Sequence, residues 1–176
     1  MGKQKKYIDP ILEDRRRQEI NNEKYFHTYL STIFNLTCEK PDYLLPYGYE
    51  LTPDFVVLQK RIITYVFEVV TLHIPDNKDE GRKSTARIFR TLQKKRDKYK
   101  KLVTKEASKF IICLALDPRI TIDDHSFLSV SQDIFRGVDD QQIRTHVSGI
   151  LLKRENGLGP IFYQNLNAKQ RVYVQF

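Results

Sequence analysis

The chain has 176 residues, 40% hydrophobic and 30% charged. That is enough for one domain with its own core, spanning 1–176 with its centre at about 15–116, and too apolar for a disordered segment. The net charge is +8, no apolar run approaches the ~18–20 residues of a membrane span, and the basic start MGKQKKYIDP lacks the apolar stretch of a secretory signal.

The first predicted element is a helix from about Pro10 to Phe34, with Phe26, Leu30, Ile33 and Phe34 on one stripe. Glu23 lies on the same inward stripe, and Glu19 sits one turn earlier. The segment CEKPDYLLPYGYELTP is a loop, marked by prolines and a glycine. Two strands follow, Asp54–Leu58 and Ile62–Val70, joined by a short polar turn around Lys60 and Arg61. Both are apolar on both faces, the pattern of strands in the middle of a covered sheet. After the loop HIPDNKDEGRKS comes a long helix from about Ser84 to Lys105, then a buried strand, Lys109–Leu116, completing a strand–helix–strand crossover. Beyond it the signals weaken. Short elements fit near Phe127–Val130 and Asp139–His146, a strand fits Val147–Lys153, and RVYVQF is the candidate last strand. This order predicts a three-layer α/β domain around a central mixed sheet flanked by helices.

Charge is concentrated in one place. From Arg82 to Lys109 there are twelve Lys or Arg and two acids, so this segment alone is +10. A patch of that density attracts polyanions, of which nucleic acid is the commonest. A solvated lysine-rich face is the plainer alternative. Cys38 and Cys113 have neither framework nor ligand spacing. Cys113, within FIICLAL, reads as a core thiol, and the expected compartment is the reducing cytoplasm.

Two carboxylates interrupt the apolar hairpin. Asp54 and Glu68 are equidistant from Arg61, so strands paired about that residue set them directly opposite, with Cβ atoms about 4.5–5.5 Å apart on one face. Like charges that close repel unless a cation lies between them. A hard divalent ion is commonly held by one or two carboxylates plus water and phosphate, and it can activate water and stabilise charge growing on a phosphodiester. Two structural readings compete with this. Asp54 could cap the start of its strand, and Glu68 could pair with an arginine of the basic helix. A slip of one residue would separate the acids onto opposite faces.

Pro53-Asp54, thirteen intervening residues, then Glu68-Val69-Val70, within the order helix, hairpin, crossover helix and buried strand, resembles the PD-(D/E)xK nuclease-like superfamily. LQKKRDKYKKL followed by KFIICLALDP is similar to restriction-endonuclease-like proteins of that class. The resemblance implies a restriction-endonuclease-like fold and Mg²⁺ (or Mn²⁺) held by Asp54, Glu68 and the carbonyl of Val69, with Glu23 as the helical acid. It also implies hydrolysis of DNA phosphodiester bonds, as in restriction, repair or mobile-element systems, and a possible homodimer. The motif lysine, however, is replaced by Val70. The alternative is a catalytically inactive nucleic-acid-binding module or a subunit of a larger assembly.

The crossover helix offers a substitute. Its apolar stripe runs through Ile88, Leu92, Tyr99 and Val103, but the turn between Leu92 and Tyr99 is filled by Lys95 and Arg96. Family variants carry the lysine on this helix, which makes Lys95 the candidate catalytic cation and Arg96 the second choice. Both could instead snorkel to water. Arg87, Arg90, Lys94, Arg96, Lys98 and Lys101 are the expected phosphate contacts. His73, just after the second strand, is a weaker candidate. His27, His125 and His146 share no ligand spacing.

Overall fold

The computed structural model describes residues 9–33, 35–41, 52–74, 84–136, 146–154 and 158–172. Helix α1 spans Pro10–Ile33, strands β1 and β2 span Phe55–Gln59 and Ile62–Leu72, and helix α2 spans Ser84–Glu106. Strand β3 is Lys109–Leu116, helix α3 is Asp124–Arg136, and strands β4 and β5 are Val147–Leu152 and Ile161–Gln164. The strands form a single sheet in chain order, β1-β2-β3-β4-β5. The two central pairings, β2 with β3 and β3 with β4, are parallel, and the two outer ones are antiparallel. The protein is therefore the three-layer α/β domain expected, with a mixed sheet. Among the described residues no helix is long and apolar enough to cross a membrane.

Alternation along the strands divides the core. Val56, Val66, Val70, Ile112, Leu114 and Ile150 pack with Ile88, Leu92 and Tyr99 of α2 and with Phe127, Val130 and Ile134 of α3. On the opposite face Phe55, Val57, Phe67, Ile111, Cys113 and Leu151 pack with Phe26 and Leu30 of α1. β1 is an edge strand rather than a central one. It is apolar on both sides because both faces of the sheet are covered, and Glu39 shields its outer edge by exchanging two backbone hydrogen bonds with Val56, at 2.8 and 2.9 Å.

The hairpin differs from the symmetric form in an instructive way. Lys60 and Arg61 make a two-residue turn with φ of 51° and 67° and Gln59 paired to Ile62, so pairing begins about a point between them. Positive φ at both turn residues suits the twist of a tight hairpin. Continued unbroken, that register would set Asp54 against Phe67. A bulge between Val57 and Leu58 shifts it, and beyond the bulge Val57 pairs with Tyr65 and Phe55 with Phe67. Thr64 is the extra residue on β2, and its hydroxyl donates to the Val57 carbonyl at 3.2 Å. The register then continues to Asp54 opposite Glu68, on the α2 face.

The C-terminal third departs further from the sequence reading. α3 is a full 13-residue helix, not a short element at Phe127–Val130. Its buried stripe is Phe127, Val130, Ser131 and Ile134. A serine in the stripe, with its hydroxyl turned back onto the Phe127 carbonyl at 2.9 Å, hides the apolar period. Asp123 caps the helix by accepting from the Ser126 amide at 2.8 Å. β5 was not expected, because four residues carry too little alternation to register. Arg171 and Val172 lie outside any strand, and 173–176 and, apart from His146, the element proposed at Asp139–His146 fall outside the described residues.

Candidate active site

Glu68 sits in the middle of β2, paired with Ile112, facing α2. Its side chain is 3% exposed, flanked on its own face of β2 by the core residues Val66 and Val70. Such a strand position costs a carboxylate its hydration unless cations replace it. α2 supplies two: Lys95 Nζ donates to Glu68 Oε1, and Lys98 Nζ lies 3.5 Å from the same oxygen. The second oxygen, Oε2, is buried and has no hydrogen-bond partner among the described residues. Buried polar atoms almost always find a partner, so an orphaned carboxylate oxygen beside two lysines calls for a ligand or for strain.

Asp54 precedes β1, just past the last cross-strand pair. Its Oδ2 accepts from the Val69 amide at 2.6 Å. Because a strand residue's N–H and C=O leave toward the same neighbour, the Val69 carbonyl also leaves on the β1 side, beside Asp54. Burial, and then the nearby Glu68 charge, push the Asp54 carboxyl from its usual 3.8 up to about 6, against the opposing pull of the Val69 hydrogen bond. Glu23 adds to the upward push from α1. Its own carboxylate is half-buried and bound to Lys40 at 3.3 Å. Among the described residues no three or more His, Cys, Asp or Glu side chains form a metal-holding group, so Glu23 does not complete a three-carboxylate set. The pair of acids with the Val69 carbonyl fits the one or two carboxylates that Mg²⁺ ordinarily takes from protein.

Tyr99 closes the site. Its ring is fully buried, with its centroid 5.6 Å from that of Phe110. Its hydroxyl donates to the Thr52 carbonyl at 3.0 Å. Burial first, then the adjacent Glu68 carboxylate, hold this phenol well above its ordinary pKa. Its place on the apolar stripe of the crossover helix assigned Tyr99 to core packing. The missed signal was its spacing, one helical turn from Lys95 on the face that meets Glu68.

The cations of α2 divide into groups. Arg87, Arg90, Lys94, Lys98 and Lys101 fall within about 80° of arc at ~100° per residue, a stripe that borders Lys95. Arg90, Lys94, Lys98 and Lys101 are exposed, and Arg87 is half-buried. Arg96 is different: it is 6% exposed, Nε donates to Asp97 at 2.9 Å, and one terminal nitrogen lies 3.5 Å from the Ile134 carbonyl of α3. His146 also contacts its backbone carbonyl at 2.7 Å. Arg96 thus belongs to the α2–α3 contact rather than to the cationic surface. His73 stands at the end of β2 against Glu19, 3.3 Å away. Cys113 is buried and unpaired, as expected of a core thiol.

Compared with family models, with curated proteins and with solved structures, the chain matches none.

Proposed function

We propose that the protein is a metal-dependent nuclease of the PD-(D/E)xK type, hydrolysing DNA phosphodiester bonds at the Asp54–Glu68 pair. One observation carries this reading: two carboxylates share a face of the sheet beneath a cationic helix, and the deeper one presents a buried oxygen that has no hydrogen-bond partner among the described residues. Asp54, Glu68 and the Val69 carbonyl would hold Mg²⁺ or Mn²⁺, which when bound supplies Lewis-acid stabilisation of phosphoryl oxygens and a lowered pKa for water.

The chain's own residues do the rest. Lys95 orients Glu68 and, at 29% exposure, keeps its ammonium within reach of a phosphate oxygen at the surface. It takes the place of the lysine that Val70 replaces. Val70 is 5% exposed in the apolar layer, so no cation enters from that position. The stripe Arg87, Arg90, Lys94, Lys98 and Lys101 neutralises flanking phosphates and sets the strand along α2. Low exposure around Glu68 strengthens its interaction with Lys95.

The test is cleavage of supercoiled, linear and single-stranded DNA with Mg²⁺ or Mn²⁺, beside Asp54→Ala and Glu68→Ala. Metal-dependent cleavage lost in both variants is the expected result. Cleavage at full rate in both sinks the assignment. The engagement of Lys95 by Glu68 favours a second reading, a binding module without catalysis, which predicts salt-sensitive DNA binding and no cleavage under any metal.

A further inference from the structure

We propose that Tyr99 is a positioning residue, whose hydroxyl clamps the segment before Asp54 onto α2 and so sets the spacing of the two carboxylates. The inference rests on the metal-site reading above. Asp54 lies beyond the end of the β1–β2 ladder, where strands fray. Pro53 before it offers no N–H to any partner. Among the described residues two hydrogen bonds tie this stretch: Asp54 Oδ2 accepts from the Val69 amide at 2.6 Å, and the Thr52 carbonyl accepts from the Tyr99 hydroxyl at 3.0 Å.

The first tie binds Asp54 to the strand that carries Glu68. The second binds the same segment to the helix that carries Lys95. Tyr99 and Lys95 are one turn apart on one face, so a single stretch of α2 reaches both Glu68 and Thr52. The buried ring, packed on Phe110, leaves the hydroxyl little freedom. Removing it frees residues 52–54 to swing away from α2, and Asp54 loses its fixed place opposite Glu68.

The test is Tyr99→Phe in the full chain, which keeps the ring and deletes the hydroxyl. Without metal, the Val69 amide exchanges its hydrogen about tenfold faster than in the unaltered protein. Mn²⁺, titrated by calorimetry or paramagnetic resonance, binds about 10–100-fold more weakly, as for groups that orient metal ligands. At saturating Mn²⁺ the cleavage rate returns to near its original value. Ile88→Val trims the core on the same helix away from the site. It serves as the packing control, lowering the melting temperature without altering the Mn²⁺ Kd or Val69 exchange. A Tyr99→Phe protein with unchanged Val69 exchange and an unchanged Kd overturns the clamp, as does an Ile88→Val protein that shifts both equally. If the unaltered protein binds no Mn²⁺ while Val69 exchange still accelerates in Tyr99→Phe, the clamp stands and the metal site falls.

Discussion

The Thr64 hydroxyl donates to the Val57 carbonyl at 3.2 Å, and this bond marks the residue that turns Asp54 toward Glu68. Without the extra residue at the bulge, the pairing set by the Lys60–Arg61 turn would put Asp54 on the α1 face with Phe67. With it, both acids face α2. Bulges recur where a sheet must aim a side chain.

Two anions on one buried face cost stability, and pH exposes that cost. The folded-state pKa of Asp54, about 6, lies above its ordinary 3.8. Folding therefore favours the protonated acid. Its contribution is fully present below about pH 3.8 and is lost as pH rises through about 6. Asp54→Asn abolishes the loss. In metal-free buffer at pH 8 this variant is more stable than the parent by about 3 kcal/mol in urea unfolding, and at pH 4 the two are nearly equal.

Metal binding has the opposite slope, because ligation needs the carboxylate. Mn²⁺ affinity measured by calorimetry rises with pH and levels off above about 6, where Asp54 is ionised. In Asp54→Asn the affinity is weak at every pH. A pH-independent affinity in the parent protein would remove Asp54 from the ligand set.

In the proposed mechanism Lys95 and Glu68 act in different steps, and their variants are expected to separate. Glu68→Gln abolishes Mn²⁺ binding. Lys95→Met leaves binding intact, since a competing ammonium has gone, yet slows cleavage by on the order of 10²–10³-fold, the usual cost of one charge-stabilising donor. Lys95→Met also costs about 1–3 kcal/mol in stability, because only Lys98, at 3.5 Å, remains beside the buried acid. Single-turnover cleavage alongside a Mn²⁺ titration separates the two roles.

The stripe on α2 predicts a salt signature. Each of Arg90→Ala, Lys94→Ala and Lys101→Ala lowers the slope of log K against log salt by about 1 for duplex DNA, read by fluorescence anisotropy. Arg96→Ala leaves that slope unchanged and instead lowers stability, because its guanidinium is buried between α2 and α3. Equal slope changes for Arg96 and Lys94 would contradict this division.

The chain order from α1 to β3, the strand β4, the three layers, the acids at 54 and 68 and the cationic helix were legible in the sequence. Each follows from a local pattern: period two or near 3.6, a proline, or a run of lysines. Lys95, too, was visible as a cation interrupting an apolar stripe. The opposition of Asp54 and Glu68 was legible from a symmetric hairpin about Arg61, but the bulge at Thr64 that produces it was not. Nor was the sorting of Arg96 from Lys98, adjacent in charge pattern but set apart by α3 packing against one side of α2. The clamp from Tyr99 to Thr52 spans 47 residues, and no local period encodes it. Register, burial and long-range hydrogen bonds depend on which surfaces meet, and only the packed sheet and helices decide that.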